Sequence, residues 1–162
     1  MSESGPGGRE QQSAYGAATP PALGEQLCFA LYAASRATTN AYRPGLARLG
    51  LTYPQFVTLL ALWQGDGLGV AELAHRLRLD ASTLSPLLKR MEAMGLVERR
   101  RCTRDERRVT IHLTPAGVDL AGPATQVRQE VAQRLDLTPA EAEQMRALAL
   151  RLVHALDTDD AG

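Results

Sequence analysis

Only two cysteines, Cys28 and Cys102, occur in the 162 residues. Two thiols give no disulfide framework, and no Cys/His cluster has zinc-ligand spacing. No apolar run approaches membrane-spanning length. The N-terminal MSESGPGGREQQ has no hydrophobic core of the signal-peptide kind. The expectation is a cytoplasmic protein with reduced thiols and no membrane partner. The chain also lacks paired carboxylates, a Ser/His/Asp set, a phosphate loop and metal spacing. His75, His112 and His154 are scattered, as surface or packing residues would be. An enzyme is therefore not expected, nor a cofactor. Net charge is zero, so no global basic field announces nucleic acid.

The distribution of charge says more. Between Glu72 and Leu113 lie ten Lys/Arg and six Asp/Glu, a local excess of +4. The remaining 8 cations and 12 anions leave −4 elsewhere. A basic module on an acidic frame suits steering toward phosphate.

The run of elements is mostly helical. Residues 1–20 read as a disordered tail, and Pro20 and Pro21 suit a helix start. Leu27, Ala30, Leu31 and Ala34 recur at helical spacing within a helix over Leu23–Leu49, which Pro44 is expected to kink or break. Thr52 and Pro54 open a helix carrying Phe56, Leu59, Leu60 and Trp63, which stops near Gly65 and Gly67. Val70–Leu79 is a short helix. Asp80 then caps a helix with Leu84, Leu87, Leu88 and Met91 on one face, stopped at Gly95. Leu96–Arg101 and Val109–Leu113 alternate like a β-hairpin, with Arg104–Arg108 at its tip. Thr114 and Pro115 open a helix to about Arg134. Thr138-Pro139-Ala140-Glu141 is a capping box for a last helix to Leu156. The first and last helices carry apolar stripes that a small module cannot cover, so a homodimer is expected.

The stretch from Asp80 to Gly117 has the order of a winged helix-turn-helix: polar-fronted helix, stop, Arg-rich hairpin. Such a helix enters a major groove and its wing reaches a minor groove. Short polar side chains near the helix start, Ser82, Thr83 and Ser85, can approach bases. Lys89 and Arg90 can hold the backbone, with Arg76 and Arg78 bracing phosphates. In the wing, Arg104, Arg107 and Arg108 suit a narrow minor groove. Asp105 can fix the turn and aim a guanidinium.

The D-x-R wing pattern at Asp105 and Arg107, then Val109, Leu113-Thr114 and Gly117, resembles the MarR family of bacterial repressors. The resemblance covers residues 23 to 156. It implies a mostly α fold with a small β-hairpin wing, dimerising through N- and C-terminal helices on pseudo-palindromic operators. Residues 21–50 and 116–156 would form the dimerisation helices, 51–115 the winged helix-turn-helix, and 157–162 a second tail. Leu27-Cys28-Phe29-Ala30-Leu31-Tyr32, Tyr42-Arg43-Pro44 and Leu51-Thr52-Tyr53-Pro54-Gln55 resemble the organic hydroperoxide resistance (OhrR) repressors within that family. So do Leu79-Asp80 and the run Leu84 to Arg90. That resemblance implies that Cys28 is a peroxide-sensing thiol. Tyr42 and Tyr53 would donate to it across the dimer interface, with Tyr32 nearby.

The chemistry fits on its own terms. A sensor thiolate needs a stabilised anion and access, and phenols can donate to it. Phe29, Leu31, Phe56 and Trp63 would form an apolar wall that favours organic hydroperoxides. Two-cysteine members carry a resolving cysteine in the C-terminal helical region, and this chain has none there. The expectation is a one-cysteine switch in which sulfenic Cys28 is capped by a low-molecular-weight thiol. Cys102 would be a bystander, with Arg100, Arg101 and Arg104 lowering its pKa. Two other readings stay open: a MarR-type repressor released by a small organic ligand, and a thiol peroxidase. The Arg-rich wing and the missing resolving cysteine weigh against the peroxidase.

Overall fold

The structure, a computed structural model, describes residues 22–102 and 105–157, without the side chains of Cys102 and residues 105–108. The N-terminal tail, Arg104 and residues 158–162 lie outside the described residues. So do the side chains of Asp105, Arg107, Arg108 and Cys102.

After a short 3-10 turn at Leu23–Glu25 the chain forms α1 (Leu27–Arg48) and α2 (Tyr53–Gln64). A two-residue strand β1 (Leu68–Gly69), α3 (Val70–Leu77) and α4 (Ala81–Ala93) follow. The hairpin is β2 (Val97–Cys102) and β3 (Asp105–Leu113). Helices α5 (Pro115–Asp119), α6 (Ala121–Arg134) and α7 (Pro139–Asp157) complete it. The fold is thus mostly helical with one small antiparallel sheet, ordered β1-β3-β2.

The chain divides into two compact units, one through residue 38 and one from residue 39. In the first, α1 presents Leu27, Phe29 and Tyr32 to the surface. In the second, apolar stripes meet in one core. Phe56, Leu59 and Leu62 of α2, Leu73 of α3, Leu84, Leu88 and Met91 of α4, and Ile111 of β3 are all buried there. These are the positions that helical and strand periodicity place on one face. Ala124, Val127 and Val131 bury one face of α6, whereas α7 buries no residue within the single chain.

Several expectations are corrected. Pro44 lies inside α1 and does not end it. Gly45, one residue on, packs so closely on α6 that an added Cβ would lie 2.6 Å from Val127 Cγ1. The expected helix from Thr114 to Arg134 is two helices, parted at Leu120. Pro123 has no N–H to continue the α5 ladder, but fits the first turn of α6. The third strand, β1, was not expected: Leu68 pairs with Ile111 and Gly69 with Thr110. Strand β3 begins at Asp105, so Asp105–Arg108 belong to a strand and not to the hairpin tip. A register irregularity falls between Arg101 and Cys102. Asp157, read as tail, ends α7.

Candidate functional site: a nucleic-acid interface and a tyrosine cluster

Helix α4 is anchored by its buried stripe of Leu84, Leu87, Leu88 and Met91. Its opposite side carries Ser82, Ser85, Lys89 and Glu92, spaced by three or four residues, and Pro86, four residues after Ser82, which is one face of a helix. Together with Arg99 of β2 they line an open groove of about 640 Å³. Thr83 and Arg90, seven residues apart, form an exposed stripe beside this face. Two of the three expected hydroxyls and one of the two expected cations therefore line the groove itself.

The turn before α4 is built by Arg78, which adopts the left-handed conformation (φ 51°) and ends α3. Leu79 N–H donates to the Ala74 carbonyl at 3.0 Å, closing the turn. Asp80 holds the N-cap position with extended backbone, as expected, but its side chain makes no capping bond. Of the two expected phosphate braces, Arg76 donates to Glu72 one turn earlier at 2.7 Å. Arg78 is paired with Asp157 at the end of α7.

The base of the wing is fixed by a set of specific bonds. Asp66 Oδ1 accepts from Leu113 N–H at 2.8 Å, and Asp66 Oδ2 meets His112 Nδ1 at 3.2 Å. His112 Nε2 meets Thr110 Oγ1 at 3.0 Å. His112 is thus a structural residue of the sheet. Thr114 Oγ1 donates to the Gly95 carbonyl at 2.5 Å and accepts from Gly117 N–H at 3.1 Å. Gly117 is tight: a Cβ there would lie 2.1 Å from the Leu96 carbonyl oxygen. Trp63 Nε1–H donates to the Gly117 carbonyl at 3.0 Å. Trp63 is thus a strut between α2 and α5.

In the sequence Arg99 is one cation among the ten of the basic module. In the structure it forms the β2 wall of the groove, and its Nε lies 3.6 Å from Glu92 Oε2. No local pattern pairs a helix residue with a strand residue seven positions on, so only the tertiary structure brings them together.

The residues expected at the sensor fall in two groups. In the first unit, Cys28 is an exposed free thiol. Tyr32 lies one helical turn after it. Its hydroxyl accepts from Arg36 Nη1 at 2.8 Å, and Phe29 and Tyr32 rings are 6.5 Å apart. In the second unit, Tyr42 and Tyr53 are brought together, with ring centroids 5.3 Å apart. Phe56 completes the cluster at 5.4 Å from Tyr42. Burial pushes the Tyr42 phenol above its ordinary pKa, Tyr53 adds to this, and Arg128 opposes it. The Tyr42 hydroxyl is therefore a neutral donor at physiological pH. Beside Tyr53, a second cavity of about 350 Å³ is lined by residues including Arg43, Leu46, Leu51 and Pro54. No group of three His, Cys, Asp or Glu suited to a metal occurs among the described residues. Nor is any helix among them long and apolar enough to cross a membrane.

The model of the MarR family matches residues 51–109. The organic hydroperoxide resistance transcriptional regulator of Bacillus subtilis is 42% identical over 136 residues, covering 84% of this chain and 90% of that one. The transcriptional regulator TtmR of Methylorubrum extorquens is 54% identical over 103 residues, which is 64% of this chain and only 53% of that relative. Among solved structures, reduced AbfR bound to DNA is similar with a TM-score of 0.72 and 31% identity, covering 84% of this chain and 93% of that one. Overoxidized AbfR bound to DNA is similar with a TM-score of 0.68, also at 31% identity, covering 83% and 94%. With the three-helix core, the polar face of α4 and the β2–β3 wing in place, the chain belongs to the MarR family of winged helix-turn-helix transcriptional repressors, which bind DNA.

Proposed function

We propose that this protein is a redox-sensing repressor. It binds pseudo-palindromic operator DNA as a homodimer and lets go when organic hydroperoxides oxidise Cys28. The observation that carries the reading is the exposed Cys28 thiol on α1, one turn before Tyr32. The protonated Tyr42 and its neighbour Tyr53 support it, since phenols donate to a thiolate. The similarity to a hydroperoxide-resistance regulator and to AbfR, solved on DNA in reduced and overoxidized forms, points the same way.

The Cys28 thiolate attacks the terminal oxygen of the hydroperoxide. An S–O bond forms, the O–O bond breaks, and the alkoxide leaves and takes a proton to become the alcohol. Cys28 is oxidised by two electrons to the sulfenic acid. A low-molecular-weight thiol then displaces hydroxide from that sulfur, giving a mixed disulfide and water. Residues 21–50 and 116–156 form the dimer, which covers Met145, Leu148 and Leu150 of α7, each about half exposed in the single chain. Ser82, Thr83, Ser85, Lys89 and Arg90 face the major groove. Arg104, Arg107 and Arg108, ordered by Asp105, reach the minor groove.

Intact mass after one equivalent of an organic hydroperoxide tests this in wild type, Cys28→Ser and Cys102→Ser. An adduct of one oxygen, or of one small thiol, is expected in wild type and Cys102→Ser only. Modification that survives in Cys28→Ser overturns the assignment. A second reading is favoured by the cavity beside Tyr53: a repressor released by a small organic ligand held near Arg43. A Cys28→Ser protein that still leaves DNA on exposure to the inducer would establish it.

A further inference from the structure

Glu92 is out of place on the face of α4 that lines the groove. A carboxylate on the DNA-facing side of a recognition helix repels phosphate. Ser82, Ser85, Lys89 and Arg99 around it have the opposite chemistry, offering donors and positive charge. Glu92 spans from α4 to the wing. Its Oε2 lies 3.6 Å from Arg99 Nε, and its Oε1 accepts from the Arg99 backbone N–H at 3.3 Å. Arg99 Nη2 reaches the Ser85 carbonyl at 3.4 Å, the long limit of a hydrogen bond. Two groups of α4, the Glu92 carboxylate and the Ser85 carbonyl, thus meet one guanidinium, and Glu92 also holds the Arg99 backbone.

The side chains of this pair are 37% and 42% exposed, and an exposed ion pair adds little to stability. Folding therefore gives Glu92 little reason to occupy the groove. Orientation of Arg99 does. A free arginine has many rotamers, and an arginine held along one edge loses less entropy when it grips a phosphate.

We propose that Arg99 grips a DNA phosphate and that Glu92 is the residue that positions it, so that α4 and the wing strand close on the backbone together. The inference rests on α4 being the helix that enters the major groove. Glu92 costs attraction at long range and contributes orientation at contact. The two effects have opposite signs in Glu92→Gln, which adds one unit of net positive charge and weakens the clamp, because a neutral amide oxygen replaces the carboxylate.

The test is fluorescence anisotropy of the reduced full chain on the duplex that the wild type selects from a random-sequence pool. It is run at several salt concentrations, with a melting curve for each variant. Arg99→Ala is expected to weaken binding about tenfold, as for loss of one charge-assisted contact, and to lower the slope of log K against log salt by about one. Arg99→Lys should keep the slope and still bind more weakly, because an ammonium cannot hold both partners. Glu92→Gln should bind about threefold more weakly with an unchanged melting temperature, despite its extra charge. In an Arg99→Ala background the same change should have no effect or tighten binding. Tighter or unchanged binding by Glu92→Gln alone, or an unchanged salt slope in Arg99→Ala, overturns the inference. Lys89→Ala separates the two levels. If it weakens binding while Arg99→Ala does not, only this inference fails. If neither does, the placement of α4 on DNA fails with it.

Discussion

The substitution Gly117→Ala is expected to cost stability and, with it, the wing's hold on DNA. The added Cβ would sit 2.1 Å from the Leu96 carbonyl oxygen and 3.2 Å from Leu113 Cδ2. The first neighbour is backbone, so the strain cannot be relieved by turning a side chain. Either α5 moves away or the Gly95–Val97 segment does. Overpacking of this kind costs about 1–3 kcal/mol. Movement of α5 also stretches the 3.0 Å bond from Trp63 Nε1 and the 3.1 Å cap from Gly117 N–H to Thr114. An unpaired, part-buried donor adds about 1 kcal/mol. A total near 3 kcal/mol lowers Tm by roughly 6–12 °C in a chain of this size. Thermal unfolding followed by circular dichroism reads the shift, and Trp63 fluorescence reports whether the strut is lost. Gly122→Ala is the matched control, since nothing lies within 4 Å of its added Cβ. That variant should be neutral or stabilised by up to about 1 kcal/mol, because alanine loses less backbone entropy in a helix. A Gly117→Ala protein melting within 1 °C of wild type would refute the reasoning.

The Tyr42 phenol is raised above its ordinary pKa of 10.0, chiefly by burial, so the stability it contributes is complete below that value and is lost as pH rises through the folded-state value. Denaturant titrations between neutral pH and strongly alkaline pH should show a steeper alkaline loss in wild type than in Tyr42→Phe; parallel curves would contradict the burial argument. Glu141 is held below its ordinary pKa, first by its hydrogen bond from the Thr138 side chain and then by that from the Thr138 backbone. Its contribution is present above the unfolded value and lost as pH falls through the folded one, so Glu141→Gln should flatten the acid limb of the stability profile. On the proposed sensor, in which Tyr53 donates to the Cys28 thiolate, Tyr53→Phe should slow oxidation of Cys28 by an organic hydroperoxide while DNA affinity stays within about twofold, since the α4 face is untouched. Unchanged stopped-flow kinetics would remove Tyr53 from the sensor. Arg107→Ala should weaken operator binding with little change in Tm; a melting loss as large as the binding loss would make Arg107 a structural residue.

What could be read from the chain depended on the range of the interactions involved. Thr52 and Pro54 announced the start of α2, where the Gln55 side chain also accepts the Thr52 N–H at 2.8 Å. Thr138 and Glu141 announced α7, and their reciprocal bonds form at 2.8 and 3.3 Å. The stripe Leu84, Leu87, Leu88, Met91 fixed which side of α4 is buried and thereby which side carries Ser82, Ser85 and Lys89. Gly95 was legible as a stop because a positive φ, here 70°, favours glycine. The break at Leu120 is masked in the sequence by a continuous helical pattern, with Gly122-Pro123 as its only local mark. Strand β1 was missed because two residues carry no periodicity; its pairing to β3 is set by Gly67 N–H donating to the Ile111 carbonyl at 3.1 Å.

The sequence by itself determined the run of the longer helices and the hairpin, the buried faces of α2 and α4, the basic character of residues 72–113 and the types of side chain available for DNA. These follow from propensity, caps and periodicity, which act within one or two turns. Only the tertiary structure decided that Arg99 would face Glu92 across a groove, that Gly117 would touch the Leu96 carbonyl, that Trp63 would brace α5, and that Tyr42 would be buried against Tyr53 and Phe56. Each of these joins different elements of the fold. Such pairings are chosen by how the buried faces pack together, and no local pattern in the chain specifies them.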